Sequence, residues 1–152
     1  MKSAHRSITV KTVLCVTIPL TLLFIFINSA LPPALSSAES EAAGGFLTLI
    51  FPEGTLFHTL IVGNIRKIAH FAEFFVLGIQ IALWVCLFTS RYKLTLPLSL
   101  FAVSGVAALD EVIQIFSGRG PSVFDVMLDV FGASVALGLV YSVYFVIKLE
   151  KR

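Results

Sequence analysis

Arg66, His70 and Glu73 recur at i, i+4 and i+7, a spacing that sets a guanidinium, an imidazole and a carboxylate on one face of a helix. Asp110 and Gln114 are also four apart, with Glu111 rotated by about 100° from Asp110. Asp125 and Asp129 repeat the same spacing, and Gly118, Arg119, Gly120 and Pro121 form a tight connection between the two acidic stretches. Two kinds of chemistry fit these residue types. In the first, Arg66, Lys67 and Arg119 hold a phosphate while the carboxylates orient amines or hydroxyls, the pattern of a site for a lipid head group. In the second, His70 with Glu73, Asp110 and Asp125 forms a general acid/base or metal site acting on a lipid-linked substrate. The zinc spacing H-E-x-x-H, a serine elbow and a glycine-rich phosphate cradle are all missing, so the sequence leaves cofactor and metal open.

The elements that must position these groups are read from composition. The 152 residues are 57% hydrophobic and only 13% charged, against about 25% charged in a soluble domain. An ordinary water-soluble enzyme is excluded, and a net charge of +2 is too small to point to nucleic acid. Two cysteines within apolar runs make no disulfide framework. Four runs are long enough to cross a bilayer, at residues 12–30, 68–90, 94–116 and 123–147. Each is apolar around most of its circumference, which suits a helix and not an alternating barrel strand. The expected fold is an all-α membrane bundle of four transmembrane helices in one domain, residues 1–152.

The intervening segment 31–67 is mixed. Its start, LPPALSSAESEAAGG, has the chemistry of turn and linker; its middle, FLTLIFPEGTLFHTLIVG, is broken by Pro52 and Gly54 and suits a pair of short interfacial or re-entrant pieces. The first run also has features of a secretory signal, with Lys2, Arg6 and Lys11 before it and Ser36, Ser37 and Ala38 after it. Its length exceeds the usual signal core and favours a span.

With the amino terminus cytoplasmic, Lys2, Arg6, Lys11, Arg91, Lys93, Lys148, Lys151 and Arg152 fall inside, leaving Arg66, Lys67 and Arg119 outside. The positive-inside rule therefore predicts both termini in the cytoplasm and a multi-pass protein of the cytoplasmic membrane. Nearly all the acidic residues then gather at the outer end, where Glu73 lies roughly 7 to 8 Å into its span. Facing lipid there, a carboxylate costs about 1 to 3 kcal/mol, so these groups are expected to face one another or a cleft. Interhelical polar contacts, with Arg119 and Asp125 or Arg66 and Glu73 as ion pairs at an interface, would account for some of them as plain structural glue. Five acids (Glu73, Asp110, Glu111, Asp125, Asp129) nevertheless exceed Arg66, Lys67 and Arg119, and an acid left over titrates or meets a cation. Small residues are read as packing: Gly132 with Ala136, and Gly78 with Gly105, allow close approach of helices.

The stretches IRKIAHFAEFFVLG (65–78) and ALDEVIQIFSGRGPSVFDVMLDVFGASVALG (108–138) resemble the VanZ family's His-Phe-x-Glu-Tyr and Asp-Glu-x-x-Gln to Arg to Asp signatures. The exit NSALPP of the first run is similar to the family's as well. Phe74 stands where the family usually has Tyr, and Asp129 where it often has Asn. The family is named for a protein linked to low-level teicoplanin resistance, so the resemblance implies an envelope context and a link to glycopeptide resistance, without a reaction. The expected ligand-binding set is Arg66, His70, Glu73, Asp110, Glu111, Gln114, Arg119, Asp125 and Asp129, with His70, Glu73, Asp110 and Asp125 the catalytic candidates.

Overall fold

A computed structural model describes residues 2–88, 92–120 and 122–150. Ser90, at the expected end of the second span, and Arg91, Pro121, Lys151 and Arg152 lie outside the described residues. Among the described residues six helices follow in order: α1 (Lys2–Ala30), α2 (Pro33–Thr48), α3 (Leu56–Val62), α4 (Ile65–Phe88), α5 (Tyr92–Phe116) and α6 (Val123–Glu150). Four of them carry stretches long and apolar enough to cross a membrane, Thr9–Ala30, Ile65–Phe88, Leu94–Phe116 and Val123–Lys148. The chain is a multi-pass, all-α membrane bundle. Large apolar side chains such as Phe24, Phe101 and Val143 stand exposed along the spans, where lipid tails cover them.

The linker expected at the start of the segment 31–67 is instead the sixteen-residue helix α2. Pro33 lies in its first turn, where a missing N–H costs nothing, and the run of Ala, Ser and Glu that follows propagates the helix despite two glycines. One of those glycines, Gly44, is buried 3.3 Å from Val62 of α3 once a Cβ is built on it, so α2 and α3 pack as a small cap. The short α3 is capped by Thr55, whose side chain accepts a hydrogen bond from His58 N–H, and matches one of the two short pieces expected there.

The hub is α4, which packs against every other helix. Its buried face, Phe74 and Leu77, joins Ile25 of α1, Val103 and Ala107 of α5 and Ala133 of α6 in one core. The closest approach is between α4 and α6. A Cβ on Gly132 would lie 2.6 Å from the Phe71 carbonyl oxygen, and one on Gly78 would lie 2.8 Å from the Ala133 oxygen. Gly105, by contrast, has open space around it and mediates no close approach.

That contrast is testable. In detergent micelles, Gly132→Ala should lower thermal stability by about 1–3 kcal/mol, the usual cost of overpacking a close contact. Gly105→Ala should be neutral or stabilising by up to about 1 kcal/mol.

Candidate functional site

The polar residues converge at one end of the bundle, where α1 and α5 finish and α4 and α6 begin. Asp110 is at the centre and fully buried (0% exposed). Its Oδ1 accepts from Ser29 Oγ of α1 at 2.5 Å and its Oδ2 from Gln114 Nε2 at 2.8 Å. His70 of α4 turns its Nδ1 toward the same cluster, 3.8 Å from Asp110 Oδ2 and 3.9 Å from Asp129 Oδ1 of α6. Asp129 is only 1% exposed, and neither of its carboxylate oxygens has a hydrogen-bond partner. Glu73, one turn further along α4, accepts from Asn28 Nδ2 at 2.9 Å through Oε1 and leaves Oε2 unpartnered.

Glu111 and Arg119 are built into the scaffold. Glu111 Oε2 accepts from the Ser122 backbone N–H at 2.7 Å, tying α5 to the start of α6. Ser122 caps that helix in turn, its Oγ accepting from Asp125 N–H. The end of α5 is a Schellman turn: Gly118 takes φ 82°, Arg119 N–H bonds Gln114 O at 3.0 Å and Gly118 N–H bonds Ile115 O at 3.2 Å. Glycine adopts that left-handed conformation without a Cβ clash, and the turn sends Arg119 back across the end of α1. There its guanidinium donates to the Asn28 and Ser29 carbonyls at 3.4 and 3.5 Å and to Ser36 Oγ at 3.1 Å. A cation on the last carbonyls of α1 is where the helix dipole favours it. Burial, and then the neighbouring Arg66 charge, hold the Arg119 guanidinium below the ordinary arginine range, against the pull of Asp110, Glu111 and Asp125.

Two cavities open beside the cluster. The larger, about 370 Å³, is lined by Asn64, Arg66, Lys67, His70, Gln114 and Asp125 among others. The smaller, about 190 Å³, is lined by Asn28, Ser36, Glu39, Glu73 and Arg119, and the two share Ser40, Ile65, Arg66 and His70. Nine side chains singled out by spacing therefore meet at one end, in two roles. Asp110, Glu111 and Asp129 are buried within the bundle, while Arg66, His70, Glu73, Arg119 and Asp125 border the cavities; Gln114 does both, buried but lining the larger cavity. Neither Arg119 with Asp125 nor Arg66 with Glu73 forms an ion pair; among the described residues the close contacts between a basic group and a carboxylate are those of the His70 ring, charged only when protonated.

The family model of VanZ/LLP1 matches residues 13–146, a stretch that takes in every residue of this cluster. The chain belongs to the VanZ/LLP1 family. No curated protein and no solved structure matches it. Within this VanZ/LLP1 chain, Asn28, Ser29 and Ser36 bond Glu73, Asp110 and Arg119 and so join the polar cluster without any spacing signal. Asn28 and Ser29 close an uncharged span and open the NSALPP exit that resembles the family's, and those are the traces they leave in the sequence. Ser36 lies in the segment whose helix the sequence hid.

Because Asp110 is out of water, its hydrogen bond from Ser29 matters more than a surface one. Ser29→Ala should destabilise the bundle by about 1–3 kcal/mol, the cost of leaving a buried acceptor short of a donor. Thr48→Ala, which removes an exposed bond to Gly45 O, should change the same thermal unfolding measurement by less than about 0.5 kcal/mol.

Proposed function

We propose that this chain is a cytoplasmic-membrane protein of the cell envelope whose polar end faces outward, both termini lying inside, and that it binds the head group of an envelope lipid or a lipid-linked cell-wall precursor there. The observation that carries the reading is the larger cavity. Arg66 and Lys67 stand in the first turn of α4 without an acidic partner among the described residues, and Asp125, Asn64 and Gln114 line the same space. Two cations fit a phosphate, and a carboxylate with two amides fits the amine or hydroxyls of the same head group. A lipid is favoured over a soluble anion by the groove between α1 and α4, about 490 Å³, lined by Thr17, Leu20, Thr21, Phe24, Ala72, Val76 and Gln80 and reaching Glu73 at the margin of the smaller cavity. An acyl or prenyl chain lies along such a groove while its head group sits at the polar end. Engaging a lipidated antibiotic or its target at the outer leaflet is the link this reading offers to teicoplanin resistance.

A second reading, membrane-embedded acid/base or metal-dependent chemistry on a lipid-linked envelope substrate, is supported by one observation: His70 faces two buried carboxylates, one of them without a hydrogen-bond donor.

Head-group binding is tested by native mass spectrometry of protein released from nanodiscs containing phosphatidylglycerol and phosphatidylcholine. The wild type should retain the anionic lipid preferentially; Arg66→Ala with Lys67→Ala should lose that preference with unchanged membrane insertion. Equal retention of both lipids by the wild type sinks the reading. Orientation is tested separately by a membrane-impermeant thiol reagent on intact cells, in a background with Cys15 and Cys86 replaced by Ala. Ser37→Cys, on exposed α2, should label from outside.

A further inference from the structure

We propose that His70, Asp110 and Asp129 form a binding site for a first-row divalent cation, Mn²⁺ or Zn²⁺, at the centre of the polar end. One donor atom from each residue lies within 4.8 Å of the other two. The inference rests on the same geometry as the second reading above but on no reaction, so a metal can be bound whether or not anything turns over.

Four observations converge on it. Asp129 is 1% exposed with both oxygens unpartnered, and His70 Nδ1 is likewise buried without a hydrogen bond. A carboxylate withdrawn from water without a single donor is costly, and a cation in front of it removes the cost. The three donors lie close to, though somewhat wider than, the separations of ligands around one ion, every pair being within 4.8 Å. Bonds of about 2.0–2.2 Å separate neighbouring donors by about 3.1–3.6 Å, so contacts of 3.8 and 3.9 Å close with movements of a few tenths of an ångström. The charge balances, because two carboxylates and a neutral imidazole with a divalent ion sum to zero, the state a low-dielectric site favours. Finally, Asp110 is already oriented from outside the trio: Ser29 Oγ and Gln114 Nε2 hold its two oxygens, as partners of metal ligands do. One nitrogen and two carboxylate donors suit Mn²⁺ or Zn²⁺ better than a thiolate-seeking ion, and three protein ligands leave coordination positions open. His70 also lines both cavities, so an open position reaches the proposed head-group pocket.

The test uses the full chain in nanodiscs, stripped with EDTA and titrated with Mn²⁺ by electron paramagnetic resonance, with Zn²⁺ as competitor. The wild type should bind one Mn²⁺ per chain, displaced by Zn²⁺, with a nitrogen coupling from His70 in the pulsed spectrum. Asp129→Asn should weaken binding by about tenfold or more, and Gln114→Ala, which leaves all three ligands in place, by about tenfold. His70→Gln should remove the nitrogen coupling. Glu41→Gln, an exposed α2 carboxylate, should titrate like the wild type. Gel filtration and thermal unfolding of the metal-free variants establish that they are folded, and Gln114→Ala keeps the proposal testable if Asp129→Asn is not. No stoichiometric binding by the wild type, or affinity unchanged in Asp129→Asn, overturns the site. Lipid retention through Arg66 and Lys67 is measured on the same stripped protein, so failure of the metal and failure of head-group binding are read independently.

Discussion

The polar end of this protein depends on how closely α6 approaches α4. Gly132 has no Cβ, and that allows its backbone to sit against the Phe71 carbonyl; Gly78 does the same against Ala133 one level deeper. Phe71 adjoins His70, and Asp129 is one turn from Gly132. The glycine contact therefore brings an imidazole on one helix and a carboxylate on the other to within 3.9 Å. A larger residue at position 132 would separate the helices and carry Asp129 away from the histidine.

The bilayer supplies the second constraint. It offers no donors or acceptors, so polar side chains in the spans seek one another and thereby tie helices together. Ser29 on Asp110 joins α1 to α5, Asn28 on Glu73 joins α1 to α4, and Glu111 on the Ser122 backbone joins α5 to α6. Deeper in the bundle, Gln80 donates to Thr21 between α4 and α1, and Tyr141 meets Ser99 and the Thr95 carbonyl between α6 and α5. These ties are mostly neutral or singly charged hydrogen bonds. The arginines are used differently: Arg119 satisfies the last carbonyls of α1, and Arg66 lines the cavities.

Much of this was legible along the chain. Long uncharged runs can only be helices in a membrane, and i, i+4 spacing puts His70 on the face shared by Arg66 and Glu73, whatever the helix packs against. Segment 31–67 was harder. Prolines and serines mark both a turn and the start of a helix, and the structure shows the helix, with Pro33 in its first turn and Gly44 packed on Val62 of α3. Gly78 and Gly105 are indistinguishable as letters, yet one touches α6 and the other touches nothing. Neither ion pair considered from the sequence forms: Arg119 is carried to the end of α1 by the Schellman turn at Gly118, while Arg66 lines the cavities and Glu73 accepts from Asn28.

By itself, the sequence determined that this is an all-α membrane bundle, which residues share a helical face, and that acids outnumber bases at one end. Those properties follow from local geometry and from the cost of exposing polar groups to lipid, both of which act on single segments. Only the tertiary structure decided that Asp129, and not Asp125 or Glu73, joins Asp110 at His70, that Glu111 and Arg119 fasten helix ends, and that Asn28, Ser29 and Ser36 join the polar cluster. Those facts depend on the rotation and separation of helices distant in the chain, which are set by where a missing Cβ lets two backbones touch.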